Sequence, residues 1–265
     1  MTSVADFEVV QVKYGERVTR KSVVFHDFAA SGEPDADQPM DYSFWVARND
    51  RTVVLVDTGY DIAAHDWLGE ISTMPTPEGL RLLGIAPADV DVVIATHFHY
   101  DHVGWIHLFT NATIIASRVE YEYWTAKLSE NGLVGEFATA ADVGAIVRAD
   151  QEGRLRLVDD ATEVWPGITV HPVGGHCPGQ LLTSVSSASG PLILASDAVH
   201  LREQLEKGWA FFAHTDLDEM RRAIAFTERL SHSLGAAVIP GHDPCVRAEY
   251  PPVQGPAHQV ANRLG

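Results

Sequence analysis

The sequence predicts an α/β protein, a layered sandwich with helices outside and sheets inside. Three observations carry this expectation. Strand-sized apolar runs crowd the chain up to Val56, similar runs then alternate with helical patterns, and no internal repeat or low-complexity tract interrupts them. In chain order, Phe7–Val12, Ser22–Phe25, Tyr42–Ala47 and Thr52–Val56 read as strands, the last two as a hairpin around the polar turn Arg48–Arg51. Ala29–Pro39, rich in Gly, Pro and Asp, reads as an irregular loop. Further strands are expected at Val92–Ala95, Thr113–Ala116, Arg154–Val158, Thr169–Pro172, Leu181–Val185, Leu192–Ala195 and Ala237–Ile239. Helices are expected at Ile62–Ile71, Val119–Leu128, Ala138–Ala149 and Leu217–Leu234. For the last of these, Asp216 stands as N-cap with Glu219 three residues on, and Leu217, Met220, Ile224, Thr227 and Leu230 form one apolar stripe. Residues 117–152 hold more helix than a strand-to-strand connection needs. They form either a pocket wall or a surface insertion without a role, in a chain that otherwise reads as one domain over 1–265.

Composition narrows the partners. Lys and Arg total 19 against 36 Asp and Glu, a formal net charge of −17, which argues against sequence-independent nucleic-acid binding and against anionic membrane surfaces. No apolar run approaches the roughly 18 residues of a membrane span. The opening Met1–Glu8 has no basic patch followed by an apolar stretch, so no secretory signal is expected. Two cysteines, Cys177 and Cys245, are too few for a disulfide framework, and the expectation is a cytoplasmic protein.

Thirteen histidines are many for this length, and their placement carries chemistry. Thr96-His97-Phe98-His99-Tyr100-Asp101-His102 follows directly on the strand Val92–Ala95. In an extended segment His97, His99 and Asp101 share a side, and a turn or helix start nearby would swing His102 in. One short loop could thus supply His97 and His99 to one metal and Asp101 and His102 to a second. Further donors end later apolar runs: His176 in the glycine-rich turn Val173–Gly179, Asp197 after Leu192–Ser196, and His242 after Ala237–Gly241. Imidazole nitrogens and carboxylate oxygens suit Zn, Mn, Fe or Co.

With these residues in place, the sequence resembles the metallo-β-lactamase superfamily. The His-x-His-x-Asp-His signature stands as His97 to His102, the later ligands match His176, Asp197 and His242 in order, and the upstream Asp-Thr-Gly stands as Asp57-Thr58-Gly59. The resemblance implies a four-layer αββα sandwich, two mixed sheets flanked by helices, with two divalent metal ions, zinc first, in a cleft at one sheet edge. It assigns His97, His99 and His176 to one ion, Asp101, His102 and His242 to the other, and Asp197 between them. Asp57 would orient the ligand loop rather than bind metal. His99, where flavodiiron-type relatives carry Glu, favours hydrolysis over redox chemistry. Asp197 is a bridge that true β-lactamases lack.

The likeness is greatest to the branch of N-acyl-homoserine lactonases and 4-pyridoxolactonase. It implies a hydrolase in which metal-bound hydroxide opens a ring ester, a small-molecule lactone, with Asp101 orienting the nucleophile. Those lactonases place a Tyr three residues after the bridging Asp; here that position is His200, either the proton donor to the leaving oxygen or simply a polar pocket residue. A thioester, aryl ester or phosphotriester substrate is the alternative, and a non-hydrolytic metal-binding or di-iron redox protein the reading from another class. Tyr60, Tyr100, Trp105 and Phe211 are candidates to line the substrate pocket, while Cys177 and Cys245 are expected to be buried beside the ligands next to them. His65, His107, His171, His214, His232 and His258 read as surface or structural. An exposed helical insertion at 117–152 would suit a homodimer.

Overall fold

Neighbouring residues along a strand face opposite ways, and here both faces find an apolar partner. Val9, Trp45, Val54, Val56, Val92 and Ile94 meet Val170, Leu181, Leu192 and Leu194 in one core, whereas Val10, Val46, Leu55 and Val93 belong to a second with Leu80 and Ile146. The first core lies between two sheets; the second involves the helices outside. That is why the strands read as unbroken apolar runs rather than alternating ones.

The computed structural model describes residues 6–61, 72–131 and 137–265. In chain order the strands are β1 (Glu8–Arg20), β2 (Asp37–Arg48), β3 (Val53–Val56), β4 (Ser72–Thr73), β5 (Val92–Ile94), β6 (Thr113–Ser117), β7 (Leu155–Val158), β8 (Thr162–Trp165), β9 (Ile168–Pro172), β10 (Leu181–Ser187), β11 (Gly190–Ser196), β12 (Ala237–Pro240) and β13 (Ala261–Arg263). The helices are α1 (Lys21–Val24), α2 (Thr76–Leu82), α3 (Tyr100–Val103), α4 (Arg118–Asn131), α5 (Ala140–Gln151), α6 (Arg202–Lys207), α7 (Leu217–Leu234) and α8 (Cys245–Glu249). One sheet runs β13-β1-β2-β3-β5-β6-β7, with β4 also on β1, antiparallel at the β1 end and parallel from β3 to β7. The other runs β12-β11-β10-β9-β8, with β11 and β12 parallel. Two mixed sheets flanked by helices are the expected αββα sandwich. No helix among the described residues is long and apolar enough to cross a membrane.

Local expectations fare unevenly. Helix α7 has the expected bounds, and the Asp216 carboxylate accepts a hydrogen bond from the Glu219 N–H at 2.7 Å. Ser22–Phe25, expected as a strand, is instead mostly the single helical turn α1. Strand β1 pairs with β2 as far as Arg20 opposite Asp37, and the chain must then reverse; Asp35 holds the reversal by accepting from the Ser22 N–H (3.0 Å) and hydroxyl (2.8 Å). The loop Ala29–Pro39 is correspondingly shorter, because β2 begins at Asp37. The helix expected at Ile62–Ile71, with His65, lies outside the described residues. Between β6 and β7 stand α4 and α5, the two helices of the insertion at 117–152.

Helix α5 carries a pH-sensitive cap. The Thr139 hydroxyl accepts from the Asp142 N–H (3.0 Å) and donates to the Asp142 carboxylate (2.8 Å). Burial, with the charge of Asp61 adding to it, raises the Asp142 pKa from the ordinary 3.8 to about 7 despite the Thr139 hydrogen bond. The folded state therefore holds this proton more tightly than the unfolded chain, and the contribution is lost as pH rises through the interval from 3.8 to about 7. We expect Asp142→Asn to be more stable than the wild type at pH 8 and to gain little at pH 4, read from urea unfolding midpoints.

Candidate metal centre

The candidate ligands leave the sandwich at the C-terminal ends of strands β5, β9, β11 and β12. Parallel pairing of β3 with β5 and of β11 with β12 brings these ends to one edge. After β5 the chain bends at Thr96 and is extended at His99 (φ −67°, ψ 150°), the N-cap of α3. His97 and His99 therefore precede the helix, and Asp101 and His102 stand in its first turn.

Asp57, just beyond β3, holds this arrangement. Its backbone adopts φ +64°, rare for a residue with a side chain, and its buried carboxylate accepts from the Thr96 N–H (2.9 Å), the Thr96 hydroxyl (2.9 Å) and the Ser196 hydroxyl (3.1 Å), and lies 2.8 Å from His102 Nδ1. It thus ties the ends of β3, β5 and β11 together across both sheets. Gly241 allows a similarly close approach: a Cβ there would lie 2.5 Å from the Ser196 carbonyl oxygen.

Asp197 occupies the centre. Its Oδ1 lies 3.2 Å from His102 Nε2 and 3.1 Å from His242 Nε2, whereas Oδ2 lies 3.3 Å from His176 Nε2, 2.9 Å from His200 Nε2 and 3.9 Å from His97 Nε2. Asp101 stands 3.7 Å from His102 Nε2, and His99 Nδ1 is 2.9 Å from His176 Nε2. The structure thus brings together all seven expected ligands, with Asp197 facing two groups of imidazoles through its two oxygens.

The remaining ring nitrogens fix the tautomers. His176 Nδ1 lies 2.8 Å from the Ala213 carbonyl and His242 Nδ1 lies 2.9 Å from the Asp41 carbonyl. A carbonyl only accepts, so each Nδ1 carries hydrogen, and in a neutral ring each Nε2 turns a lone pair toward the Asp197 carboxylate. His97 Nε2 and His102 Nε2 are buried with no hydrogen-bond partner among the described residues. Lone pairs converging on a buried carboxylate are compatible only with protons or cations between them, so the donor set fits divalent metal.

Burial, with His102 and His99 adding to it, pushes His97 well below the ordinary imidazole pKa, and burial lowers His176 to about 3. Burial would also lower His102, but Asp197, Asp101 and Asp57 outweigh it and hold the ring well above its usual value. For Asp197 burial works upward, and His200, His102 and His242 overcome it to leave the carboxyl well below its usual range.

His200 joins the cluster as an additional imidazole, stacked on Phe211 with ring centroids 3.6 Å apart. Tyr100 and Phe211 line the cleft over the cluster, along with Phe137 from the α4–α5 connection. Tyr60 and Trp105 are not brought to its wall: Tyr60 packs behind Tyr100 at 5.2 Å, and the Trp105 indole N–H donates to the Tyr60 carbonyl. Cys177 is buried, its Sγ 3.1 Å from His99 Nε2. Cys245 corrects the expectation of burial. It is exposed, because the chain turns at Pro244 and α8 begins on the surface.

Glu120, at the start of α4, was not anticipated. Completely buried, it accepts from the Phe98 N–H (2.9 Å), the Trp124 indole N–H (2.7 Å) and the Gly179 N–H (2.9 Å). Phe98 separates His97 from His99, and Gly179 follows His176 by three residues, so one carboxylate braces both ligand loops.

Comparison with known proteins finds relatives in sequence and in fold. N-acyl homoserine lactonase AttM of Azorhizobium caulinodans is 36% identical over 179 residues, and AiiA of Bacillus thuringiensis subsp. kurstaki is 32% identical over 168. These alignments cover 62% and 58% of this chain, and 62% of each relative, less than two thirds of their length. A solved quorum-quenching N-acyl homoserine lactone lactonase shares the fold with a TM-score of 0.76 at 20% identity, over 94% of this chain and 97% of that one. AidC, a dizinc quorum-quenching lactonase, does so with a TM-score of 0.70 at 19% identity, over 91% and 92%. The family profile described as Metallo-beta-lactamase superfamily matches residues 38–242. Matched over more than half its length, the chain belongs to the metallo-beta-lactamase superfamily.

Proposed function

We propose that this chain is a dinuclear metal hydrolase that opens a lactone ring, an N-acyl-homoserine lactone or a close relative, with zinc the first candidate for both ions. The observation that carries the reading is Asp197, whose two oxygens face separate groups of imidazoles. The relatives named N-acyl homoserine lactonases support the substrate class.

His97, His99 and His176 would hold one ion, Asp101, His102 and His242 the other, with Asp197 shared. Two bound divalent cations supply a polarised carbonyl and a water acidic enough to attack near neutral pH. The chain does the rest. Asp101, whose carboxylate lines the cleft, orients the water and accepts its proton. Asp57 keeps the His102 ring turned so that Nε2 faces the site. Tyr100 and Phe211 shape the wall against which the ring ester rests. His200, held flat by Phe211, holds the proton that the departing oxygen needs when the ring opens. Such an enzyme would quench quorum signals. Two unpaired cysteines support a reducing, cytoplasmic setting for it.

The test is hydrolysis by the metal-replete protein across N-acyl-homoserine lactones of varied chain length, beside thioesters, aryl esters and phosphotriesters. We expect the lactones to be the fastest class; faster cleavage of any other class overturns the assignment. His200→Ala should keep two ions and lower kcat by about a hundredfold, in the range of a lost proton donor. Unchanged kinetics would remove His200 from the mechanism.

A further inference from the structure

The cleft over the cluster offers about 60 Å³, whereas sites for small ligands occupy several hundred. It has room for the reacting group alone. Arg17 and Met40 also line a neighbouring cavity of about 600 Å³, bounded further by Lys13, Glu16, Asp41 and Arg247, so a substrate tail leaving the cluster past these two residues would meet it.

The charges in that cavity are not equivalent. Lys13 is paired with Asp41 at 2.8 Å and with Glu16. Arg247 donates to Asn262 Oδ1 (3.2 Å) and to the Gln259 carbonyl (2.8 Å). Arg17 differs. Its guanidinium lies 6.0 Å from the Tyr42 ring centroid, its buried Nε has no hydrogen-bond partner, and it makes no ion pair among the described residues. The Tyr42 ring in turn meets the His242 ring with centroids 4.8 Å apart, so Arg17 stands one aromatic ring away from the cluster. In a chain with 36 carboxylate side chains and 19 basic ones, an arginine without a carboxylate at the mouth of the site has its partner elsewhere.

We propose that Arg17 is a specificity-determining residue that binds a carboxylate on the substrate's tail, so that the preferred substrates are lactones or esters whose acyl chain ends in an anion. This rests on the hydrolase reading for the reacting end only. A guanidinium pairs with a carboxylate through two parallel N–H···O bonds, and half-burial against Tyr42 limits its competition with water.

Binding tests the proposal separately from turnover. Adipate and adipamate each offer one carboxylate to the metal pair; adipate alone has a second at its far end. By calorimetry on the metal-loaded protein, we expect the wild type to bind adipate about tenfold more tightly, in line with one charge-assisted hydrogen-bonding pair. Arg17→Gln should erase the difference and Arg17→Lys keep part of it. Equal binding of the two probes by the wild type overturns the proposal without any variant, as does a preference that survives in Arg17→Gln. Kinetics should follow, with N-adipoyl-homoserine lactone cleaved at about tenfold higher kcat/KM than its terminal amide. Should no lactone be cleaved at all, the hydrolase assignment fails, while the adipate comparison still decides the role of Arg17.

Discussion

Asp197→Ala is expected to remain folded, to lose both ions, and to fall by about a thousandfold or more in kcat/KM on any lactone the wild type opens, since several kcal/mol of barrier lowering depends on the ions. Asp197 is the carboxylate that the imidazoles on both sides share. Without it the rings of His97, His99 and His176 keep their positions through other contacts, such as the Ala213 carbonyl for His176, but nothing joins the two halves of the centre. The fold should survive because the same change removes the main opposing charge for His102 and His242. Both rings are held above the ordinary imidazole value against burial with that carboxylate as the first of the opposing charges, and both shift toward the neutral form when it goes. No uncompensated charge is left behind. Elemental analysis after gel filtration, with far-UV circular dichroism as the control for folding, reads the outcome. An inactive variant that retains two ions would deny Asp197 its bridging place.

Glu120→Ala is the second large effect, and it acts on stability first. Three N–H donors, from Phe98, Gly179 and Trp124, lose their acceptor in a fully buried position, and a cavity opens where the side chain stood. Each stranded donor costs about 1–3 kcal/mol, so a loss of roughly 3–5 kcal/mol is expected once the surroundings relax. Glu120→Gln keeps the volume but sets an amide N–H against a donor, and should fall between the two. Because the carboxylate braces both ligand loops, zinc affinity should also weaken by about 10–100-fold, read by competition with a chromophoric chelator. A destabilised variant with wild-type zinc affinity would show that the loops are held by something else.

These two residues also mark the boundary of what the sequence discloses. The seven proposed ligands were legible as a candidate cluster because four metal-binding groups within six positions have no role in an ordinary turn, and because His176, Asp197 and His242 each end an apolar run. Helix α7 was legible down to its cap, since both its stripe and its N-terminal acceptor are local. Glu120 was not: an acidic residue at the start of a helical stretch reads as a solvated helix terminus, and only the approach of the Phe98 and Gly179 backbones makes it internal. Ser22–Phe25 misled for a related reason. Its β-branched residues suit a strand, but β1 has already found its full length of partner in β2 by Arg20. The short strands β4, β8 and β13 carry too few residues for any period to show. Tyr60 and Trp105 are adjacent in sequence to the ligand loops yet lie behind them, a distinction that depends on side-chain direction after two turns.

The pairing of β13 with β1 has a bearing on biosynthesis. The Leu264 N–H donates to the Val9 carbonyl at 2.8 Å, and Val10 to Val12 stand opposite Arg263 to Ala261, so the outer flank of β1 is sealed by a strand translated after all the other described elements. Until it emerges, β1 offers a long row of unsatisfied amides beside apolar side chains, the sort of template on which nascent chains associate. Truncation before Ala261 should therefore show up as inclusion bodies and a demand for chaperones, even though every proposed ligand is already present.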